Sequence, residues 1–410
     1  MLRRAPLALL LGVSFVLGAR APLAWCDDPP PEPAPTPDAP AEPKKEEPKK
    51  EKVDHDDTSV FKDWRIAKQR GIAHSKKRAE FWEGKGASGK DLNWVASLWN
   101  RGEEYGKAAA AWEKFLEWTP PAGEEKAKSE NEKNREYARK ELIAAYLWGG
   151  KYPETVKAAQ EFRTEFGQSP VLNEAWVLEG RAQRLAGDNE KAIAAFSKAA
   201  EGKLGKGLFD LLDLYMAEGQ IDEARAAIGK FPMEGRNPIY VDQVKAFLEL
   251  IGTDAPGLEK AVNVGTTDVT PAWKGKATAC YLWHMQLSDG VRRMQFFDRA
   301  VRDIPNVQTY ALATYHKLNP QSQKIEQDMT EEKEIEWYRK LVSEEFPRDI
   351  PYAIVVPKEA LDAMGMKNDG QMTVVDADGK LRWMRLTDQD KYDRLAVALA
   401  LKKLGGAKKE

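Results

Sequence analysis

Cysteine is nearly absent: Cys26 and Cys280 are the two thiols in 410 residues. If processing removes the first 26 residues, the remaining chain holds one thiol and cannot close an internal disulfide. That count excludes a disulfide-stapled scaffold, a cysteine-based zinc site and a self-contained dithiol cycle. Charge of one sign is lacking too. The 63 basic and 65 acidic residues leave a formal net charge of −2, so no global field draws the chain toward nucleic acid or basic partners. A glycine-rich phosphate loop, a paired-histidine zinc helix and a supported Ser-His-Asp arrangement are all missing, so no cofactor or metal is expected.

What is present begins with MLRRAPLALLLGVSFVLGARAPLAWC, in which Arg3 and Arg4 precede an apolar run and small residues follow. This predicts an export signal over residues 1–26 and a periplasmic or cell-envelope location. The run is interrupted at Arg20 and falls short of the roughly 20 residues a membrane span needs. Residues 27–57, DDPPPEPAPTPDAPAEPKKEEPKKEKVDHDD, are rich in Pro, Lys and Glu and hold almost no large apolar side chain. They cannot bury enough surface to offset their ordering entropy, which predicts a disordered tether.

From residue 58 the pattern turns to amphipathic helices, and one motif recurs: 102-GEEYGKAAAAWEKF, 150-GKYPETVKAAQEF, 187-GDNEKAIAAFSKAA and 219-GQIDEARAAIGKF. Each places a glycine at a turn, then a small residue with a partner four positions later: Ala108 and Trp112, Thr155 and Ala159, Ala192 and Phe196, Ala224 and Ile228. The preceding helices supply Trp94, Leu98, Tyr146, Trp176, Gly180 and Tyr215. These copies resemble the tetratricopeptide repeat, a helix-turn-helix unit that buries its apolar face by stacking on its neighbours. A charged insertion, 123-GEEKAKSENEKNREYARK, lengthens the first connection. The resemblance implies a solenoid whose concave face binds a protein or peptide, with Asn93, Ser97, Asn100, Lys140, Arg181, Arg184 and Asp213 placed on that face. A last helix carrying Tyr240, Val241, Val244, Phe247 and Leu248 is expected to cap the array at residue 250.

Beyond it, strands and helices alternate. Strands are expected at 276-KATACYLW, 306-NVQTYALAT and 351-PYAIVV, with a hairpin over 372-MTVVDADGKLRWMRL turning at Asp378-Gly379. Helices are expected near 288–303, 328–345, 357–364 and 388–404. With 251-IGTDAPGL and 273-WKGK leading in, this order resembles the redoxin branch of the thioredoxin superfamily, over residues 251–404. The whole is thus expected to be multidomain: an all-α tetratricopeptide-like solenoid over 58–250, followed by an α/β thioredoxin-like domain.

That family's chemistry needs a thiolate at a helix start and a second, resolving thiol. In 281-YLWHMQLSDGVRRM, Trp283 and Met294 match the flanking apolar positions, and the two family cysteines fall on Leu287 and Gly290. The family's cis-proline would fall near Gly370 or Gln371 and is missing as well. Ser288 and Asp289 remain as helix caps. The expectation is a redox-inactive scaffold and an exported interaction protein. The rival is a single-cysteine oxidoreductase or peroxidase working through Cys280 with a partner's resolving thiol. Cys280 sits inside an apolar strand, where a thiol is occluded and its pKa raised. A copper site combining it with His284 and His316 would offer two imidazoles and one occluded sulfur.

Overall fold

A computed structural model describes residues 60–120, 125–202, 205–230, 238–265, 271–283, 290–315, 329–345, 353–367, 370–386 and 391–405. The expected signal and tether, His284, Leu287, Ser288, Asp289 and His316 lie outside these residues. The protein is mostly helical, with a small mixed sheet toward its C-terminus. The chain divides into two compact units, up to Ala111 and from Trp112. No described helix is long and apolar enough to cross a membrane.

The helices are α1 (Val60–Gly84), α2 (Leu92–Arg101), α3 (Tyr105–Glu117), α4 (Glu125–Trp148), α5 (Tyr152–Glu165), α6 (Leu172–Leu185), α7 (Asn189–Ala200), α8 (Gly205–Ala217), α9 (Ile221–Lys230) and α10 (Pro238–Leu250). The division into units falls within α3. In the first unit α1 is broken at Gly71, whose φ of 81° no helix interior allows, and the Ser75 hydroxyl donates to the Gly71 carbonyl at 3.0 Å. The charged insertion is not a connection. It forms the first turns of α4, which its good helix formers favour.

Three of the recurring turns share one hydrogen-bond pattern. Gly150, Gly187 and Gly219 adopt φ of 75°, 88° and 74°. The amide that follows each one reaches back five residues, Lys151 to Tyr146, Asp188 to Gln183 and Gln220 to Tyr215, at 2.8–2.9 Å. This is the left-handed C-terminal cap that glycine supplies without steric cost. The first turn makes the same bond, Glu104 to Trp99 at 3.0 Å, but there Gly102 has φ −73° and Glu103 takes the left-handed place at φ 59°. A side chain there costs about 1–2 kcal/mol in backbone strain, part of which glycine gives back as unfolded-state entropy. Glu103→Gly is therefore expected to stabilise the protein by about 0.5–1 kcal/mol, read as a raised midpoint in urea unfolding.

The small and large pairs all turn inward: Ala108, Trp112, Thr155, Ala159, Ala192, Phe196, Ala224 and Ile228 are buried. Gly180 in α6 shows why size matters, since a Cβ there would lie 2.5 Å from the ring of Phe196. From α5 onward each helix packs on the next, and α6 also packs on α4 and α8.

The rest of the chain builds β1 (Val262–Asn263), β2 (Ala277–Leu282), α11 (Gly290–Val301), β3 (Val307–Ala313), α12 (Glu331–Glu345), β4 (Ala353–Val355), α13 (Lys358–Ala363), β5 (Met372–Val375), β6 (Leu381–Arg385) and α14 (Lys391–Gly405). The six strands lie in the order β1-β4-β3-β2-β5-β6. β2, β3 and β4 run parallel, β5 and β6 return antiparallel beside β2, and β1 pairs antiparallel with β4. The two-residue β1 has no counterpart among the expected strands. The hairpin is closed by three residues, Ala377 to Gly379, rather than by a two-residue turn: the Asp376 amide donates to the Lys380 carbonyl, and Gly379 sits at φ 84°. Asp376 Oδ1 accepts from the Asp378 and Lys380 amides at 3.0 and 2.8 Å, which holds that loop.

Helix α10 joins the two kinds of structure. Val241, Val244, Phe247 and Leu248 are buried, and it packs against α9. Gly365, beyond α13, lies against Phe247, with 3.2 Å left for a Cβ. The chain leaving α10 then bonds to the outer edge of β6 through Gly252, Thr253 and Ala255, which pair with Leu381 and Gly379. One hydrophobic cluster includes buried residues from Ala192 to Leu401.

Candidate functional site

Two places were marked by the sequence, the strand that holds Cys280 and the polar positions of the helical array. Cys280 lies in β2 at the centre of the sheet, level with Tyr310 on β3 and Thr373 on β5. It is 0 % exposed. Burial pushes its thiol well above the ordinary value, because the apolar surroundings cannot solvate a thiolate. Gly290 opens α11 and brings no side chain to its start. Where the cis-proline was sought, Gly370 has φ 76° and Gln371 is fully buried. Backbone bonds tie both to Leu282 at 2.8 and 2.9 Å. The Gln371 side chain donates to the Gly365 carbonyl at 2.7 Å and accepts from the Lys367 amide at 2.8 Å, so it braces a loop that no proline would hold in this way. Among the described residues no group of three or more His, Cys, Asp and Glu side chains could hold a metal.

Of the seven positions expected on the concave face, Asn93, Ser97, Arg181, Arg184 and Asp213 are buried. Asn93 and Ser97 in α2 are buried, and the Ser97 hydroxyl donates to the Asn93 carbonyl at 2.9 Å. Asn100 at the end of the same helix is half-buried. Lys140 lies 3.3 Å from Glu141 and 3.6 Å from Glu174, half-exposed on α4. Arg181, Arg184 and Asp213 come together, yet they are at most 3 % exposed. The surface expected to meet an outside partner is covered at these three residues by the chain's own β6 and α14.

The resulting cluster holds three arginines and three aspartates. Within the helices, Arg181 on α6 donates to Asp210 on α8 at 2.8 Å, and Arg184 donates to Asp213 at 2.7 Å. From the other side, Arg385 on β6 donates to its neighbour Asp393 on α14 through Nε at 2.9 Å. It also bridges both α8 carboxylates, reaching Asp210 at 2.6 Å and Asp213 at 3.0 Å. Trp383, two residues earlier and so on the same face of β6, donates its ring N–H to the Asp213 carboxylate and carbonyl. The Tyr392 hydroxyl accepts from Arg184 at 3.1 Å, and the Arg181 guanidinium stacks 4.3 Å over the Tyr392 ring. Burial alone would raise the Asp210 carboxyl, but Arg181 and Arg385 outweigh it and hold it below its ordinary range.

Sequence reasoning missed Asp210, Trp383, Arg385, Tyr392 and Asp393. A signal was present: 207-GLFDLLDLYM sets two carboxylates three residues apart in an otherwise apolar helix, and Arg181 and Arg184 repeat that spacing on α6. Buried ions of this kind must be paired, so matching spacings on neighbouring helices point to ladders between them.

No family model matches the chain, and no curated protein matches it. Among solved structures, it is similar to a solution structure from Bacteroides thetaiotaomicron whose assignment as a protein disulfide isomerase is itself provisional. That similarity has 13 % identity over 38 % of this chain and 89 % of the other, with a TM-score of 0.24. A likeness of that size leaves function to be argued from the residues themselves.

Proposed function

We propose that this chain is an exported protein-interaction scaffold: a tetratricopeptide-like helical array carrying a thioredoxin-like domain that has lost thiol chemistry. The observation that carries the reading is Cys280, the one thiol beyond residue 26, sealed in the central strand with its pKa raised by burial. Thiol exchange needs an accessible thiolate and a second sulfur to resolve the mixed disulfide, and Cys280 offers neither. The order β2-α11-β3, with the β5–β6 hairpin and α14 after it, supports the thioredoxin-like part. The repeated left-handed turns and the buried small–large contacts support the array. The signal-like residues 1–26 support export.

An insulin-reduction assay with dithiothreitol tests the redox side of this reading. The mature protein is expected to give the uncatalysed rate. A faster rate that disappears in Cys280→Ser would favour a single-cysteine oxidoreductase and overturn the scaffold reading.

A further inference from the structure

We propose that Asp210 and Asp213 form a guanidinium-selective socket on α8, filled in cis by Arg385, and that this occupied socket latches the sheet onto the helices. The inference goes beyond the scaffold reading and does not depend on Cys280. Three features of the geometry carry it. First, Arg385 spans two carboxylates at once, 2.6 Å from Asp210 and 3.0 Å from Asp213, while its Nε faces Asp393. A planar five-donor fork can serve three carboxylates, whereas an ammonium presents a single nitrogen.

Second, the socket's two carboxylates have partners of their own on the helices. Asp210 is fixed by Arg181 and Asp213 by Arg184, all four buried on α6 and α8. The helical side therefore carries two positive and two negative charges in closed pairs, and Arg385 and Asp393 pair with each other on the opposite side. Removing the guanidinium leaves Asp210 and Asp213 paired with Arg181 and Arg184, while Asp393 loses its ion pair with Arg385, a cost that a guanidinium entering the socket would relieve. Third, the walls fit an arginine arriving on a strand: the Trp383 ring N–H anchors to Asp213 beside it, and Tyr392 lies 5.7 Å from the Arg385 guanidinium. The ligand class is thus an alkylguanidinium, presented naturally as the arginine of a Trp-x-Arg strand.

Chemical rescue in the full chain tests this. Arg385→Ala should fold with a lowered Tm and an empty socket. Low-millimolar methylguanidinium chloride should raise its Tm by about 3 °C, the shift expected when ligand exceeds its Kd about tenfold, while leaving the wild type unchanged. Methylammonium chloride at the same concentration should leave the variant where sodium chloride does. Equal shifts with methylguanidinium and methylammonium, or no shift with either, would overturn the proposal. Should Arg385→Ala fail to fold, Arg385→Lys decides: it keeps the charge but not the fork, so a Tm equal to the wild type overturns the socket and a lowered one upholds it.

Discussion

Asp213→Ala is expected to destabilise the protein by about 3–5 kcal/mol, the usual consequence of removing one member of a buried ion pair. Asp213 receives Arg184 at 2.7 Å, Arg385 at 3.0 Å and the Trp383 ring N–H. Once it is gone, Arg385 still has Asp210 and Asp393, but among the described residues Arg184 keeps Tyr392 alone. An arginine cannot discard its charge as a buried carboxyl can, so the cost falls on the fold. Thermal unfolding should show a Tm drop of about 10 °C. A drop of one or two degrees would mean that water already reaches the cluster. Acid should weaken the same cluster in a definite window. The folded Asp210 carboxyl lies below its ordinary 3.8, so its contribution is fully present above that pH and is lost as pH falls through the folded value. Stability read in urea at stepped pH should therefore lose the Asp210 contribution only in this acid range, and Asp210→Asn should abolish that part of the slope.

The second large effect is kinetic. Cys280 should resist iodoacetamide near neutral pH in the native protein and react readily once the chain is denatured. Its side chain is 0 % exposed, with Tyr310 and Thr373 in register on either side. Reaction then requires opening the central strand. For a domain of ordinary stability that suppresses labelling by at least about a thousandfold. The raised thiol pKa acts in the same direction, since the thiolate is the reactive form. A native labelling rate within a factor of ten of the denatured one would place Cys280 at an accessible site and revive thiol chemistry for this chain.

Much of the architecture was legible because it is local. Strands β2, β3, β4 and the β5–β6 pair fall inside the apolar runs that mark them, α11 to α13 fall inside the expected helical spans, and α14 runs one residue past its own. The inward turn of Ala192 and Phe196, and the space kept by Gly180, follow from helical periodicity and the need to bring two helices close. Local rules failed at the margins. Strand β1 is two residues held by its pairing with β4, and Glu103 displaces the expected glycine from a left-handed turn. Neither leaves a pattern long enough to read.

What the amino-acid sequence by itself determined was the scarcity of thiols, the balance of charge, the recurrence of the helical turns and the order of the strands. Tertiary structure alone decided what covers the polar face of the array. The resemblance to the tetratricopeptide repeat placed Arg181, Arg184 and Asp213 on a face for an outside partner, whereas all three are buried. The group that meets them is Arg385, more than 170 residues from Asp213 along the chain. No local pattern encodes such a pairing. It exists because folding places β6 and α14 against α6 and α8, and because three guanidinium groups and three carboxylates can leave water together only when each finds its counterpart.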